Sequence, residues 1–310
     1  MAKRKESSTS KKDAGAIVCA TDFSTNAGEA CRVAAAMAAR LGHPLVLAHN
    51  MVMSKTDFSR KKEWEEYVQG VDRLLARHAQ GVEKKEIRVS TERLMERRPE
   101  AGLVGLIKKS KAALCVVASV SKTTWDRWTV GSVAEGVAEG SPAPTLVVRD
   151  SAPLLAWAEG GKTLRVFVAL DFSASARAAL GWVNELRKVG RCHVTVGHVY
   201  CPPDAARARH LPPPATFMET VPEVQRELEA EARKMVAEVL EGRADAFQVK
   251  ASFSRADYPI IEMARAAKAD LLVVGTRQRR GLARLWDASI SRGVLHHAKM
   301  SVAVVPAGRS

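Results

Sequence analysis

Val18-Cys19-Ala20-Thr21-Asp22-Phe23-Ser24 is an apolar run that ends in Asp-Phe-Ser, and the chain writes it again as Val166-Phe167-Val168-Ala169-Leu170-Asp171-Phe172-Ser173. Asp171 follows Asp22 by 171 − 22 = 149 residues, and His198 follows His49 by the same 149. Later landmarks recur at 157: Val116-Val117 with Val273-Val274, Gly131-Ser132 with Ala288-Ser289, Gly136-Val137 with Gly293-Val294, and Val147-Val148 with Val304-Val305. Two constant offsets describe one domain present twice. The second copy then gains 157 − 149 = 8 residues after His198, and the Pro-rich stretch Cys201 to Pro214 is the natural place for them. A period this long gives two domains of ordinary size and not a solenoid of short units.

Within each copy short apolar runs alternate with longer amphipathic stretches, the pattern of a parallel sheet covered by helices. Strands are expected near 16–21, 44–50, 86–91, 113–118 and 144–149, and again near 164–170, 192–199, 246–252, 270–275 and 301–306. Helices fill the gaps, with one near 284–298 before the last strand. Leu114-Cys115-Val116-Val117 and Leu271-Leu272-Val273-Val274 do not alternate, as expected of strands buried on both faces. Right-handed crossovers then favour an α/β fold of two tandem doubly wound five-stranded parallel sheets, each in order 3-2-1-4-5 and Rossmann-like. The expected division is a disordered basic tail over 1–14, a first domain over 15–150, a linker over 151–162 and a second domain over 163–307. Leu154-Leu155-Ala156-Trp157 is too apolar for a free linker and should pack on a domain. The final strand of each copy is a candidate edge for docking the two as a pseudo-twofold pair.

Composition narrows the class. With 46% hydrophobic and 26% charged residues among 310, each half can bury its own core. The longest apolar runs, such as Ala112 to Val120, fall well short of the roughly 18 residues that a bilayer span needs, and no apolar signal core follows the N-terminal basic residues. A cytoplasmic protein without membrane contact is therefore expected. Five cysteines without CxxC spacing read as reduced and mostly core, not as a metal centre. The net charge of +14 divides into +3 over residues 1–15, +4 over 16–150 and +7 over 151–310. A nucleic-acid module concentrates such charge on one face. Here only the tail, with Lys3-Arg4-Lys5 and Lys11-Lys12, and the run Arg277, Arg279, Arg280, Arg284 are dense, which leaves nonspecific nucleic-acid contact by the tail.

Ligands of an open parallel sheet bind beyond the carboxyl ends of its strands where the strand order reverses, here between strands 1 and 4 of each copy. Asp22 and Asp171 arrive there from strand 1, and the segments after Val117 and Val274 arrive from strand 4. The same Asp-Phe-Ser, with a helix behind it, is also a helix N-cap, in which Ser24 or Ser173 satisfies free backbone donors. His49 and His198 match each other but lack a paired acid or nucleophile in sequence, and a strand-end or core role suits them better than catalysis. Trp125, Trp128 and Trp286 read as packing residues of the strand-4 segments, with base stacking as the rival.

Two tandem units with Asp-Phe-Ser after strand 1, a His near the end of strand 2, a Gly-bearing segment after strand 4 and a terminal Val-Val-Pro resemble the universal stress protein family over about residues 15–149 and 164–306. The resemblance implies stress-response roles through adenine-nucleotide binding or partner docking. Nucleotide-binding members carry, after strand 4, Gly, two residues, Gly, nine residues, then Gly and Ser or Thr; glycine lets backbone amides approach phosphate, and the Ser or Thr opens a helix whose dipole favours anions. Each copy keeps half. The second has Gly275, then Gln278 and Ala288-Ser289; the first has Ala118 and Ser121, then an intact Gly131-Ser132. The strand-2 position that packs on adenine is Val199 in the second copy and Asn50 in the first. The resemblance thus points to Asp171, Val199, Gly275, Thr276, Arg277 and Ser289 as the favoured site for ATP or another adenine nucleotide, with Asp22, Gly131 and Ser132 as the degenerate one. Arg277, Arg279, Arg280 and Arg284 either supply charge to phosphate in place of lost amides or form a solvated loop.

No general base, metal cluster or nucleophile constellation stands out, so the reading is a binding and regulatory module, with weak or lost nucleotide binding, more than an enzyme. Its rivals are an ATP-binding protein with slow ATPase activity through the second domain, and a nucleotide-free dimerisation scaffold. The expected partners are the other half of the same chain, a second copy as a homodimer, and a protein that the sequence does not identify.

Overall fold

The computed structural model describes residues 15–51, 61–82, 87–119, 130–212, 221–276 and 290–308. The first copy runs β1 (Ile17–Ala20), α1 (Thr25–Leu41), β2 (Leu45–Asn50), α2 (Lys61–Val82), β3 (Val89–Leu94), α3 (Pro99–Lys109), β4 (Leu114–Ala118), α4 (Ser132–Gly140) and β5 (Thr145–Val148). A short helix, α5 (Ala152–Ala158), connects it to the second copy: β6 (Leu164–Leu170), α6 (Ala174–Val189), β7 (Cys192–Tyr200), α7 (Pro202–Ala208), α8 (Pro222–Val239), β8 (Ala246–Ala251), α9 (Asp257–Ala266), β9 (Leu271–Thr276), α10 (Ile290–His297) and β10 (Ser301–Pro306). The tail, the tryptophans Trp125, Trp128 and Trp286, and the arginines Arg277, Arg279, Arg280 and Arg284 lie outside the described residues.

Both halves adopt the order 3-2-1-4-5, and they join into one ten-stranded sheet, β3-β2-β1-β4-β5-β10-β9-β6-β7-β8. The duplication extends to register. Ile17 pairs with Leu45 and Leu114, and its counterpart Val166 pairs with Val194 and Leu271, which preserves the offsets of 149 and 157. At the seam β5 and β10 run antiparallel, with Leu146 opposite Ala303. Because 303 − 146 = 157, the central pair joins equivalent residues, so a local twofold passes between them. All residues of β5 and β10 are buried, so the two halves share a core rather than touch at a rim.

Strand residues alternate between two helical layers, as the period of two requires. Ile17 and Cys19 face a core shared with α1, α2, α5, α6 and α8, while Val18 and Cys115 face one shared with α3, α4, α9 and α10. The linker packs as its sequence implies: Leu154 and Trp157 are fully buried in the first of these cores.

Two local differences from the sequence reading stand out. β3 begins at Val89 and not near 86, because it is an edge strand bonded to β2 alone and its mostly exposed face gives the hydrophobic pattern little hold on register. The insertion after His198 holds a helix, α7, whose Ala205 joins Tyr200, Val224 and Leu228 in a small separate cluster. The helix expected near 284–298 is described over Ile290–His297. No helix among the described residues is long and apolar enough to cross a membrane.

Candidate functional site

The Asp-Phe-Ser turn is built the same way twice. Phe23 (φ 63°) and Phe172 (φ 57°) occupy the left-handed region, which costs a non-glycine residue roughly 1–2 kcal/mol. Local bonds hold the turn. The Asp22 Oδ1 accepts the Ser24 N–H at 2.9 Å, and the Asp171 Oδ1 accepts the Ser173 N–H at 3.1 Å. Each serine is an N-cap: Ser24 Oγ accepts from the Ala27 N–H at 3.1 Å and Ser173 Oγ from the Ala176 N–H at 3.2 Å. In the second copy the Ser173 hydroxyl also donates to Asp171 Oδ1.

The paired histidines explain why phenylalanine tolerates this conformation. His49 lies 4.4 Å from the Phe23 ring, and its Nδ1 is 2.8 Å from the carbonyl oxygen of Thr21. His198 repeats both contacts, 4.6 Å from Phe172 and 2.8 Å from the carbonyl oxygen of Leu170. With the carbonyl as acceptor, Nδ1 carries the proton. Burial pushes both imidazoles below the ordinary value of 6.5, against the opposing pull of these carbonyls. These histidines brace strand 2 against the strand-1 turn.

Between β1 and β4 of the first copy lies a cavity of about 310 Å³. Ala20, Ala48, Leu103 and Val117 give it apolar walls, Thr21, Asp22 and His49 line its strand-1 and strand-2 side, and Gly131 to Ala134 bring in the start of α4. The Gly131 N–H donates to the Ser119 carbonyl at 2.7 Å, which ties that helix start to the end of β4. Gly131 is the N-cap and contributes no side-chain bond, so the first-turn amides of α4 face the cavity without a capping side chain. Asp22, Gly131 and Ser132 thus all line this one cavity.

Asn50 also lines the cavity, but its amide is committed. Its Nδ2 donates to the Glu96 carbonyl at 2.9 Å and its Oδ1 accepts the Glu96 N–H at 3.1 Å, strapping the β3–α3 connection to β2. Sequence reading treats Asn50 only as a departure from an apolar position; the strap depends on a partner 46 residues away. Ser119 was missed for a similar reason, since its role comes from a backbone contact, whereas Thr21 reaches the crevice at the end of the strand-1 run. Thr21 Oγ1 accepts the Phe23 N–H at 3.0 Å.

In the second copy Asp171 is exposed at its turn, Val199 lies half-buried in β7, and Gly275 and Thr276 end β9. Gly275 has a packing reason to be glycine: a Cβ there would stand 2.5 Å from the carbonyl carbon and oxygen of Ser175, so α6 rests directly on the strand. Arg277 and Ser289 lie outside the described residues.

A model of the universal stress protein family matches residues 15–149 and again 163–306. Among solved structures, a universal stress protein from Archaeoglobus fulgidus superposes with a TM-score of 0.66 at 18% identity, covering 96% of this chain and 100% of its own. A putative universal stress protein from Pseudomonas aeruginosa gives 0.60 at 14% identity, covering 96% of this chain and 94% of its own. At such identities the likeness is one of fold. No curated protein matches this chain.

Proposed function

The chain belongs to the universal stress protein family as a tandem of two of its domains, and from that premise we propose that it is a cytoplasmic binding and regulatory module whose first-domain crevice takes an adenine nucleotide weakly. The observation that carries this reading is the cavity of about 310 Å³ at the β1/β4 switch point, with apolar walls at one end and the start of α4 at the other. Its volume sits at the lower end of the roughly 300–1,000 Å³ usual for small-molecule pockets. The walls suit a flat base, and the first-turn amides of α4 suit an anionic group. Gly131 to Ala134 would hold phosphate, and Val117 and Leu103 would flank the base. Two features argue for weakness: Ala118 carries a side chain where nucleotide-binding relatives have glycine, and the Asn50 amide is already spent on Glu96. The cytoplasmic assignment is supported by five free thiols, as a reducing compartment would keep them.

The second-domain site favoured by its sequence stays a rival through Asp171, Val199, Gly275, Thr276, Arg277 and Ser289. The packing of Gly275 on Ser175 favours a different account of that glycine, and with it the reading in which the second domain serves chiefly as the structural partner of the first.

Calorimetric titration with ATP and AMP separates these accounts. Gly131 has φ −66° and an added Cβ would meet only the Ser119 carbonyl, at 3.5 Å, so Gly131→Trp fills the crevice without forcing the backbone. Binding at micromolar to millimolar concentration that this variant abolishes supports the first-domain site. Binding that survives it moves the site to the second domain, and no binding by the unsubstituted protein leaves a nucleotide-free scaffold.

A further inference from the structure

Beneath the Asp-Phe-Ser turn of the first copy, Cys19 of β1 and Cys31 of α1 point at each other with their sulfurs 3.5 Å apart, and both are fully buried. Thr21 and His78 complete the cluster, with Thr21 Oγ1 and His78 Nδ1 at 3.5 Å. The duplication supplies an internal control. At the offset of 149 the second copy has Val168, Leu180 and Leu170 where the first has Cys19, Cys31 and Thr21, all buried in the same core layer. These positions are satisfied by plain hydrocarbon, so packing does not account for two facing thiols and a hydroxyl. Nor is a metal centre indicated, since no metal-binding group of three or more His, Cys, Asp or Glu is found among the described residues.

We propose that Cys19 and Cys31 are an oxidative modification site, at which a small hydroperoxide converts the two thiols into a reversible disulfide. The inference is independent of whether the crevice holds a nucleotide. Cys31 is the attacking sulfur. The thiol of Cys19 donates its hydrogen to Cys31, and with His78 and Thr21 beside it the Cys31 thiol is lowered to about 6, while Cys19 is pushed well above 9.0. The Cys31 thiolate attacks one peroxide oxygen, the O–O bond breaks, and the other oxygen leaves as the alcohol, or as water from hydrogen peroxide. Cys19 sulfur then displaces hydroxide from the Cys31 sulfenic acid. The S–O bond breaks, the S–S bond forms, and the Cys19 proton leaves with the hydroxide as water. In sum, two thiols and one hydroperoxide give one disulfide, one alcohol and one water.

A disulfide brings the sulfurs to about 2.05 Å, so α1 must move toward β1 by about 1.5 Å or turn to the same effect. Access runs under α2, which carries His78 half-buried at its edge and among its described side chains buries only Val71, Leu75 and Val82. A helix so lightly anchored opens more readily than the sheet beneath it. Cys115 is one strand away but faces the opposite core, so it does not compete.

The test uses the full chain treated with hydrogen peroxide in buffer, then alkylated in denaturant and digested for mass spectrometry. The expected product is a cross-linked peptide pair holding Cys19 and Cys31, lost on treatment with dithiothreitol, with Cys115, Cys192 and Cys201 recovered as alkylated thiols. Cys19→Val installs the residue of the sister copy and should fold; in it, peroxide should leave a Cys31 sulfenic acid that dimedone traps, formed more slowly than the cross-link in the unsubstituted chain because the Cys19 hydrogen bond to Cys31 is gone. His78→Gln should slow the cross-link at pH 7, following the fall in thiolate fraction as the Cys31 thiol rises. Recovery of all five cysteines as free thiols, or a link that forms only after denaturation, would overturn the proposal.

Discussion

His49 and His198 tie the two copies together at the scale of single residues and leave a mark on pH dependence. Each imidazole lies buried against a phenylalanine with its Nδ1 on a carbonyl, and burial holds both below 6.5. As pH falls, the unfolded chain therefore takes up these protons before the folded one does. Stability is whole above pH 6.5 and drains as pH drops from there toward the folded values. Each histidine steepens the loss by at most about 1.4 kcal/mol per pH unit. Urea unfolding at pH 7 and pH 5.5 should show this loss, and His198→Gln, though less stable at pH 7, should lose less between the two. An unchanged difference would place the effect on other groups. The residues also show what a sequence withholds. The histidines and Asp-Phe-Ser were visible through their shared offset, yet the left-handed Phe23 and Phe172 were not, because a non-glycine residue carries no sign of positive φ. The Asn50 strap and the Cys19–Cys31 cluster were hidden too, since both are contacts between distant segments that no local pattern encodes.

Between elements, the helix layer of α3, α4, α9 and α10 is assembled by a repeated crossing. Gly136 of α4 lies over Glu100 of α3, and Gly293 of α10 lies over Asp257 of α9; both glycines and both acids obey the offset of 157. The preceding arginines obey it as well, with Arg98 2.7 Å from Glu100 and Arg255 3.2 Å from Asp257. The glycine pair was read as a landmark of duplication, and the same arithmetic would have exposed the acids opposite it. The two crossings differ in slack. Glu100 keeps 22% of its side chain exposed and can swing aside, whereas Asp257 keeps 2%. An added Cβ at Gly136 would stand 2.7 Å from the Glu100 Cγ, and one at Gly293 would collide with the Asp257 carboxylate itself. Gly293→Ala should therefore cost about 1–3 kcal/mol, the range of overpacked cores, and Gly136→Ala should cost less. Thermal midpoints of the two variants rank them, and equal losses would show that Asp257 moves as freely as Glu100.

Across the whole molecule, the seam between β5 and β10 decides whether the chain behaves as two domains or one. Strand order and the candidate edges were legible because buried parallel strands announce themselves and final strands leave open edges. The two candidate edges do meet, β5 against β10, but their antiparallel register, which makes one continuous ten-stranded sheet, was not legible, since nothing local specifies it. Three residue pairs of β5 and β10 cross the seam, and side chains reinforce it: Arg149 donates from its guanidinium to the Leu295 carbonyl of α10, the Arg149 N–H donates to Ser301 Oγ at 3.1 Å, and Arg292 meets Glu135 at 2.6 Å. Both cores continue through it, because Leu146 and Ala303 share one layer while Val147 and Val302 share the other. Such a junction should transmit unfolding from one half to the other. Thermal unfolding followed by far-ultraviolet circular dichroism and by tryptophan fluorescence should therefore give coincident single transitions. Arg149→Ala removes a half-buried donor and leaves the Leu295 carbonyl without this bond, at a cost of about 1–3 kcal/mol. Since that cost falls on the coupling and not on either core, the variant should separate the two probes, with one half melting before the other. Coincident transitions at a lowered midpoint would mean that the shared strands alone suffice to couple the halves, and two transitions in the unsubstituted protein would mean that the seam does not couple them at all.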